Sequence, residues 1–102
     1  MKKLSRLQKF IIDQAYRRHR ISNPDILIKW YGFKPTKHGA LNFDVGFIGE
    51  SKYKSATVSV ARALTRLRNR GLMRRSYQYG YNELTLHGRQ LMSELLKTDP
   101  NG

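Results

Sequence analysis

The sequence has no cysteine, only three prolines and one tryptophan, and 7 acidic residues against 20 lysines and arginines over 102 positions. Without cysteine there are no disulfides, no thiolate nucleophile and no sulfur-ligated zinc, so the fold must rest on an apolar core, as in a protein of the reducing cytoplasm. No apolar run approaches the roughly 18 to 20 residues that cross a bilayer. The opening MKKLSRLQKFIIDQAYRRHR lacks the apolar stretch and small-residue cleavage site of a secretory signal. That opening is basic and amphipathic, as in helices that lie on anionic lipid. Asp13 and Gln14 interrupt it, however, and the remaining sequence supplies a domain for it to pack on. The expectation is a soluble, cytoplasmic protein with no membrane contact. A chain of this length buries about 60 to 70% of its unfolded surface and sustains one modest core, so a single domain over residues 1–102 is expected.

The shortage of acid leaves a formal charge of +13. Self-repulsion on that scale costs stability and points to an anionic partner. The charge is concentrated. SATVSVARALTRLRNRGLMRR, residues 55–75, holds six arginines, and residues 52–75 hold eight lysines or arginines with no Asp or Glu. Solvated helix faces usually mix signs, so this segment reads as an anion-binding face.

Leu4, Leu7, Ile11 and Ala15 recur at helical spacing and predict a first helix over 3–19, broadened by Phe10 and Ile12. Asn23 as cap and Pro24 at the first helical position open a short second helix through Trp30, ended by Gly32. From Phe33 to Lys54, Pro35, Gly39, Gly46 and Gly49 punctuate the chain, while Leu41, Phe43, Val45 and Phe47 alternate with other residues. This predicts a long loop with one short strand. Ser55 caps the next helix, in which Val60, Leu64 and Leu67 share one face and Ser55, Ser59, Arg62, Arg66 and Asn69 the opposite one. Gly71 closes it as a left-handed cap, and Leu72 folds back onto the apolar stripe. LMRRSY, QYG and YNELTL then read as strand, turn and strand. Thr85 or a neighbour caps a last helix carrying Leu91, Met92, Leu95 and Leu96, which ends before Pro100.

This order, with the segments TVSVARALTRLRNRGLMRR and NELTLHGRQLMSELL, resembles the winged helix-turn-helix family of DNA-binding transcriptional regulators. The first segment is similar to the family's recognition helix with its Leu-x-x-Leu-x-x-x-Gly-Leu ending. The second is similar to the family's second wing strand, which runs through a Leu-Thr-x-x-Gly turn into the closing helix. The resemblance implies an α+β, mainly α fold: a three-helix core, a β-hairpin wing and a C-terminal helix. Such regulators often have a short turn where this chain has the segment 33–54.

A helix fits the roughly 12 Å major groove of B-form DNA, where each base pair shows a distinct donor and acceptor pattern. Residues near the start of the recognition helix reach the bases, here Ser55, Thr57, Ser59 and Arg62, with Arg62 able to grip a guanine two-pronged. Arg66, Arg70, Lys52 and Lys54 are placed for phosphates. At the wing, Tyr77, Gln78 and Tyr79 form the tip, and Arg74 and Arg75 at its base meet phosphates or reach the minor groove. Tyr77 and Tyr81 are equally read as strand formers chosen for packing.

Other chemistry is weakly signalled. His19, His38 and His87 stand apart from any second ligand at metal spacing. GFIG, residues 46–49, has the Gly-x-x-Gly form of a backbone-clamping loop without that fold's flanking helices. GESK lacks the spacing of a phosphate-cradling loop, and nothing converges on Asp44 and Glu50. No catalytic residue, metal or cofactor is expected. The expected function is sequence-specific binding of double-stranded DNA by a transcriptional regulator, a repressor that occupies its operator, associated with the nucleoid when bound. The alternatives are an RNA- or ribosome-associated winged helix and a nuclease or recombination accessory factor. Leu4, Leu7, Phe10, Ile11 and Ile12 of the first helix, with Leu91, Met92, Leu95 and Leu96 of the last, offer more apolar face than one small core consumes. A homodimer through these helices is expected, its recognition helices about 34 to 36 Å apart on successive major grooves.

Overall fold

Ser5 starts the first helix of the chain, whose structure, a computed structural model, describes residues 3–36 and 42–98. Its hydroxyl accepts the Gln8 N–H at 3.1 Å, and the Gln8 side chain accepts the Ser5 N–H at 2.9 Å. This capping box satisfies two N–H groups that a helix start otherwise leaves unpaired. α1 (Arg6–Arg18) buries Ile11, Ile12 and Ala15 and ends at His19, which adopts φ 71°. A two-residue strand, β1 (Ile21–Ser22), follows; the sequence reading did not include it, because two residues carry no periodicity.

Ser22, one residue before the expected Asn23, caps α2 (Asn23–Lys29). Its hydroxyl accepts the Asp25 N–H at 3.3 Å, and the Asp25 carboxylate accepts the Ser22 N–H at 3.1 Å. Pro24 lies in the first turn, where its missing N–H costs nothing.

The segment 33–54 departs most from expectation. His38, Gly39 and Leu41 lie outside the described residues, as does Pro100. Of the predicted alternating strand, only Phe43 pairs, in an isolated bridge to Pro35. Val45 and Phe47 instead belong to a single helical turn, α3 (Val45–Ile48), capped by the Asp44 carboxylate, which accepts the Phe47 N–H at 3.1 Å. Gly49, at φ 102°, then lets the chain turn directly into α4 (Glu50–Asn69). α4 thus begins five residues before Ser55, which is an exposed residue inside the helix and not its cap. Tyr53 explains the extension. It continues the buried period of Ala56 and Val60 backwards, and its ring lies 6.2 Å from Phe33 and 6.0 Å from Phe43.

α4 ends as expected at Gly71, φ 74°, with the Leu72 N–H donating to the Leu67 carbonyl at 3.0 Å and Leu72 buried. β2 (Met73–Arg75) and β3 (Tyr81–Leu84) form the hairpin, shorter than the predicted strands. β3 also pairs with β1, giving a small antiparallel sheet of order β1-β3-β2. In its register Met73 faces Leu84, Arg75 faces Asn82, and Ile21 faces Asn82 across the other edge. The Thr85 hydroxyl accepts the Gly88 N–H at 3.1 Å at the start of α5 (Leu86–Thr98) and donates to the Gly71 carbonyl at 2.5 Å.

The fold is therefore α+β and mainly helical, with a core of Ile11, Ile12, Ile26, Val60, Leu64 and Leu67 closed on one side by the sheet. α1 packs on α4, α5 and β3. Met92 is buried, and Leu4, Leu7, Leu91, Leu95 and Leu96 all pack against the core, while the Phe10 ring meets Trp30 at a tilt, centroids 5.0 Å apart. The apolar stripes of α1 and α5 are thus used largely within one copy. Among the described residues of these two helices, Leu86 is the one large apolar side chain left exposed.

Candidate nucleic-acid interface

The buried face of α4 carries Ala56, Val60, Ala63, Leu64 and Leu67. At 100° per residue, the opposite face carries Ser55, Val58, Arg62, Thr65 and Asn69. One flank bears Lys52, Ser59 and Arg66, and the other bears Thr57, Ala61 and Arg68. The structure therefore divides the predicted contacts. Ser55 and Arg62 face outward, and Ser59 and Arg66 lie along one edge of the same surface. Lys54 is exposed, while the half-buried Thr57 donates its hydroxyl to the Lys54 carbonyl at 2.9 Å, which ties that hydroxyl to its own helix. The Lys52 ammonium lies 5.9 Å from the centre of the Phe33 ring. Arg70 is the half-buried C-cap residue and already has a partner within the protein.

The flank bearing Ala61 and Arg68, with Thr65 beside it, turns toward the hairpin. Between them lies an open groove of about 810 Å³, floored by Leu64 and Asn82 and bounded by Arg68, Arg75, Tyr79 and Pro24. The sheet register builds its charge. Met73, Arg75, Asn82 and Leu84 fall on one face of the two-residue repeat, so Arg75 leaves the core face just beyond the end of the apolar cover. Asn82, only 6% exposed, needs a partner for its amide oxygen, and Arg68 supplies one at 2.9 Å. A second Arg68 N–H donates to the Thr65 hydroxyl at 3.3 Å.

Both Arg68 partners are neutral. Burial, and then the positive charge of Arg75, lower the Arg68 pKa from its ordinary value. Among the described residues, Arg62, Arg66, Arg68 and Arg75 have no carboxylate partner. A guanidinium in this state, already oriented by neutral hydrogen bonds, is suited to a phosphate, which takes parallel N–H donors.

Arg74 differs from its neighbour. It points to the other face of the sheet and pairs with Glu83 at 3.1 Å, which removes it from the uncompensated set assigned to it by sequence. The Arg74 hydrogen bond, aided by one from Ser76 and by the charges of Arg74 and Arg20, holds the Glu83 carboxyl below the usual range against the opposing effect of desolvation.

The hairpin turn is braced from the segment between α1 and β1. Arg20 donates to the Gln78 side chain, and its guanidinium lies 5.7 Å from the Tyr81 ring centre. Gln78 therefore has a structural partner. Sequence reasoning omitted Arg20, Arg68 and Asn82, although Ala61, Thr65 and Arg68 already follow helical spacing on one flank. Among the described residues no three His, Asp or Glu side chains gather as a metal site, and no helix is long and apolar enough to cross a membrane. Asp44 is engaged in capping α3. Comparison of the sequence and fold with protein-family models, curated proteins and solved structures gives no match.

Proposed function

We propose that the chain is a winged helix-turn-helix protein that binds double-stranded DNA, with α4 in the major groove and the hairpin as the wing. The single observation that carries this reading is the adjoining pair of carboxylate-free basic surfaces, Arg62 and Arg66 on the outside of α4 and Arg68 with Arg75 in the groove beside the hairpin. The element order supports it: the helices α1, α2 and α4, with the single turn α3 between the last two, then a hairpin and a closing helix, with the short β1 completing the sheet as β1-β3-β2. The extended N-terminus of α4 places Ser55 and Arg62 mid-helix, so base readout in this proposal uses the middle of the helix, and Arg68 and Arg75 hold phosphates.

Regulation follows as occupancy: a small basic module seated on an operator excludes polymerase without needing an effector domain. On a palindromic operator two copies would pair through the half-buried Leu7 of α1 and Leu91, Leu95 and Leu96 of α5. Sedimentation at micromolar concentration checks this pairing, and a monomer that binds a half-site with full affinity removes it.

The deciding experiment is fluorescence anisotropy of the purified protein with duplex DNA, duplex RNA and single strands over a range of salt. Each phosphate neutralised contributes about −0.9 to the slope of log affinity against log salt. The three arginines set against phosphates, Arg66, Arg68 and Arg75, predict a slope of about −3 on duplex DNA and tighter binding there than on the other ligands. A flat salt dependence, or tighter binding of duplex RNA, overturns the reading.

A further inference from the structure

Tyr77 and Tyr79 are 93% and 99% exposed. Among the described residues neither ring stacks on another and neither hydroxyl has a hydrogen-bond partner. The other four tyrosines of the chain are half-buried: Tyr16, Tyr31 and Tyr53 pack against the core, and Tyr81 carries Arg20. Packing as strand formers explains Tyr81. It does not explain Tyr77 and Tyr79, which lie in the turn beyond both strands.

The turn that presents them is tied down at several points. The Ser76 N–H donates to the Tyr81 carbonyl at 2.9 Å, the Tyr81 N–H to the Gln78 carbonyl at 3.2 Å, and the Gln78 N–H to the Ser76 hydroxyl at 3.2 Å. Arg20, between α1 and β1, anchors the Gln78 side chain from across the fold. The two rings on either side of Gln78 are thus held outward on a braced tip. Tyr79 stands at the rim of the groove that contains Arg68 and Arg75, and Arg18, Arg20 and Asp25 line a second, shallower depression with Gln78 and Tyr81.

Flat rings beside guanidinium groups match a strand whose phosphates and base faces are both accessible. Within a duplex each base face is already covered by its neighbours, and inserting a ring requires unstacking them. An unpaired base offers its face without that cost. We propose that Tyr77 and Tyr79 stack on unpaired bases next to the duplex held by α4, so that the preferred ligand is duplex DNA carrying a single-stranded extension. This rests on the duplex-binding reading and adds to it a preference for the end or junction of the duplex.

The test compares one duplex in three forms: blunt, with a short adenosine extension, and with an extension of the same length made of abasic sugar-phosphates. Wild type, Tyr77→Ala/Tyr79→Ala and Tyr77→Phe/Tyr79→Phe proteins are titrated by anisotropy at one salt concentration. The expected result is about tenfold tighter binding of the adenosine extension than of the blunt duplex by wild type. The abasic extension, which adds phosphates without base faces, shows no such gain. The alanine pair loses the gain, so that it binds the adenosine-extended and blunt duplexes equally, whereas the phenylalanine pair keeps the gain because its rings still stack. Blunt-duplex binding with no gain from adenosine overturns this inference and leaves duplex binding standing. An equal gain from the abasic extension, or a gain retained by the alanine pair, also overturns it. Absence of binding to any of the three forms overturns both readings.

Discussion

Gly88→Ala sets two well-characterised effects against each other at the joint between the hairpin and α5. A Cβ at this position would stand against the Leu72 carbonyl oxygen, far inside van der Waals contact, with the Leu72 carbonyl carbon at 3.1 Å and Leu84 Cδ2 at 3.0 Å. The leucine side chain can shift. The carbonyl cannot do so freely, because it accepts the Thr85 N–H at 3.1 Å while the adjacent Gly71 carbonyl accepts the Thr85 hydroxyl. Alanine in a helix gains about 0.5 to 1 kcal/mol over glycine. Prising α5 away from Leu72 costs about 1 to 3 kcal/mol for overpacking, and weakening the Thr85 to Leu72 hydrogen bond costs about 1 kcal/mol more. The expected outcome is a net loss of about 1 to 3 kcal/mol, a fall in Tm of roughly 4 to 20 °C for a domain of this size. Thermal and urea unfolding followed by circular dichroism measures it, with Gln90→Ala as an exposed control on the same helix. A Gly88→Ala protein at least as stable as wild type would show that helix propensity wins, and the close seating of α5 against Leu72 would be refuted.

Arg62→Ala is expected to cost about 1 to 3 kcal/mol on a preferred site and to relax base preference, while Arg75→Ala weakens all sequences evenly and reduces the salt slope by about 1. Competition titrations with specific and random duplexes separate the two, and equal losses for Arg62→Ala would move it to the phosphate-binding class. The Glu83 carboxyl, held low by Arg74, should titrate below an unperturbed glutamate in a carbon-detected NMR titration, and Arg74→Ala should raise it toward that value. Because the folded-state value is depressed, the pair's contribution to stability is present above the unfolded-state pKa and disappears as pH falls through the folded one; a Glu83 unresponsive to Arg74→Ala would rule the pair out as its cause. His19→Gly should stabilise the protein by about 0.5 to 1 kcal/mol in urea unfolding, since glycine adopts the positive φ that histidine adopts only with strain. A destabilised variant would mean that the His19 side chain contributes more than its backbone costs.

The period of the apolar residues and the punctuation around them already specify much of this protein, because helix faces, caps and turns are local matters. The stripes of α1 and α4, the closure at Gly71 with Leu72 returning, the hairpin and the Thr85 cap all follow from neighbours a few residues apart. The excess of positive charge, and its concentration in 52–75, is likewise a property of the chain alone. Tertiary contacts decided the rest. The start of α4 at Glu50 depends on Tyr53 finding Phe33 and Phe43, and β1 exists because Asn82 and Tyr81 pair with Ile21 and Ser22 some sixty residues away. Which arginines remain uncompensated was also decided in three dimensions. In sequence Arg74 and Arg75 are adjacent and equivalent, but the two-residue repeat of a strand sends them to opposite faces, one onto Glu83 and the other beside Arg68. Local pattern establishes that a segment is basic, whereas the partner that neutralises or concentrates each charge arrives from a distant part of the chain.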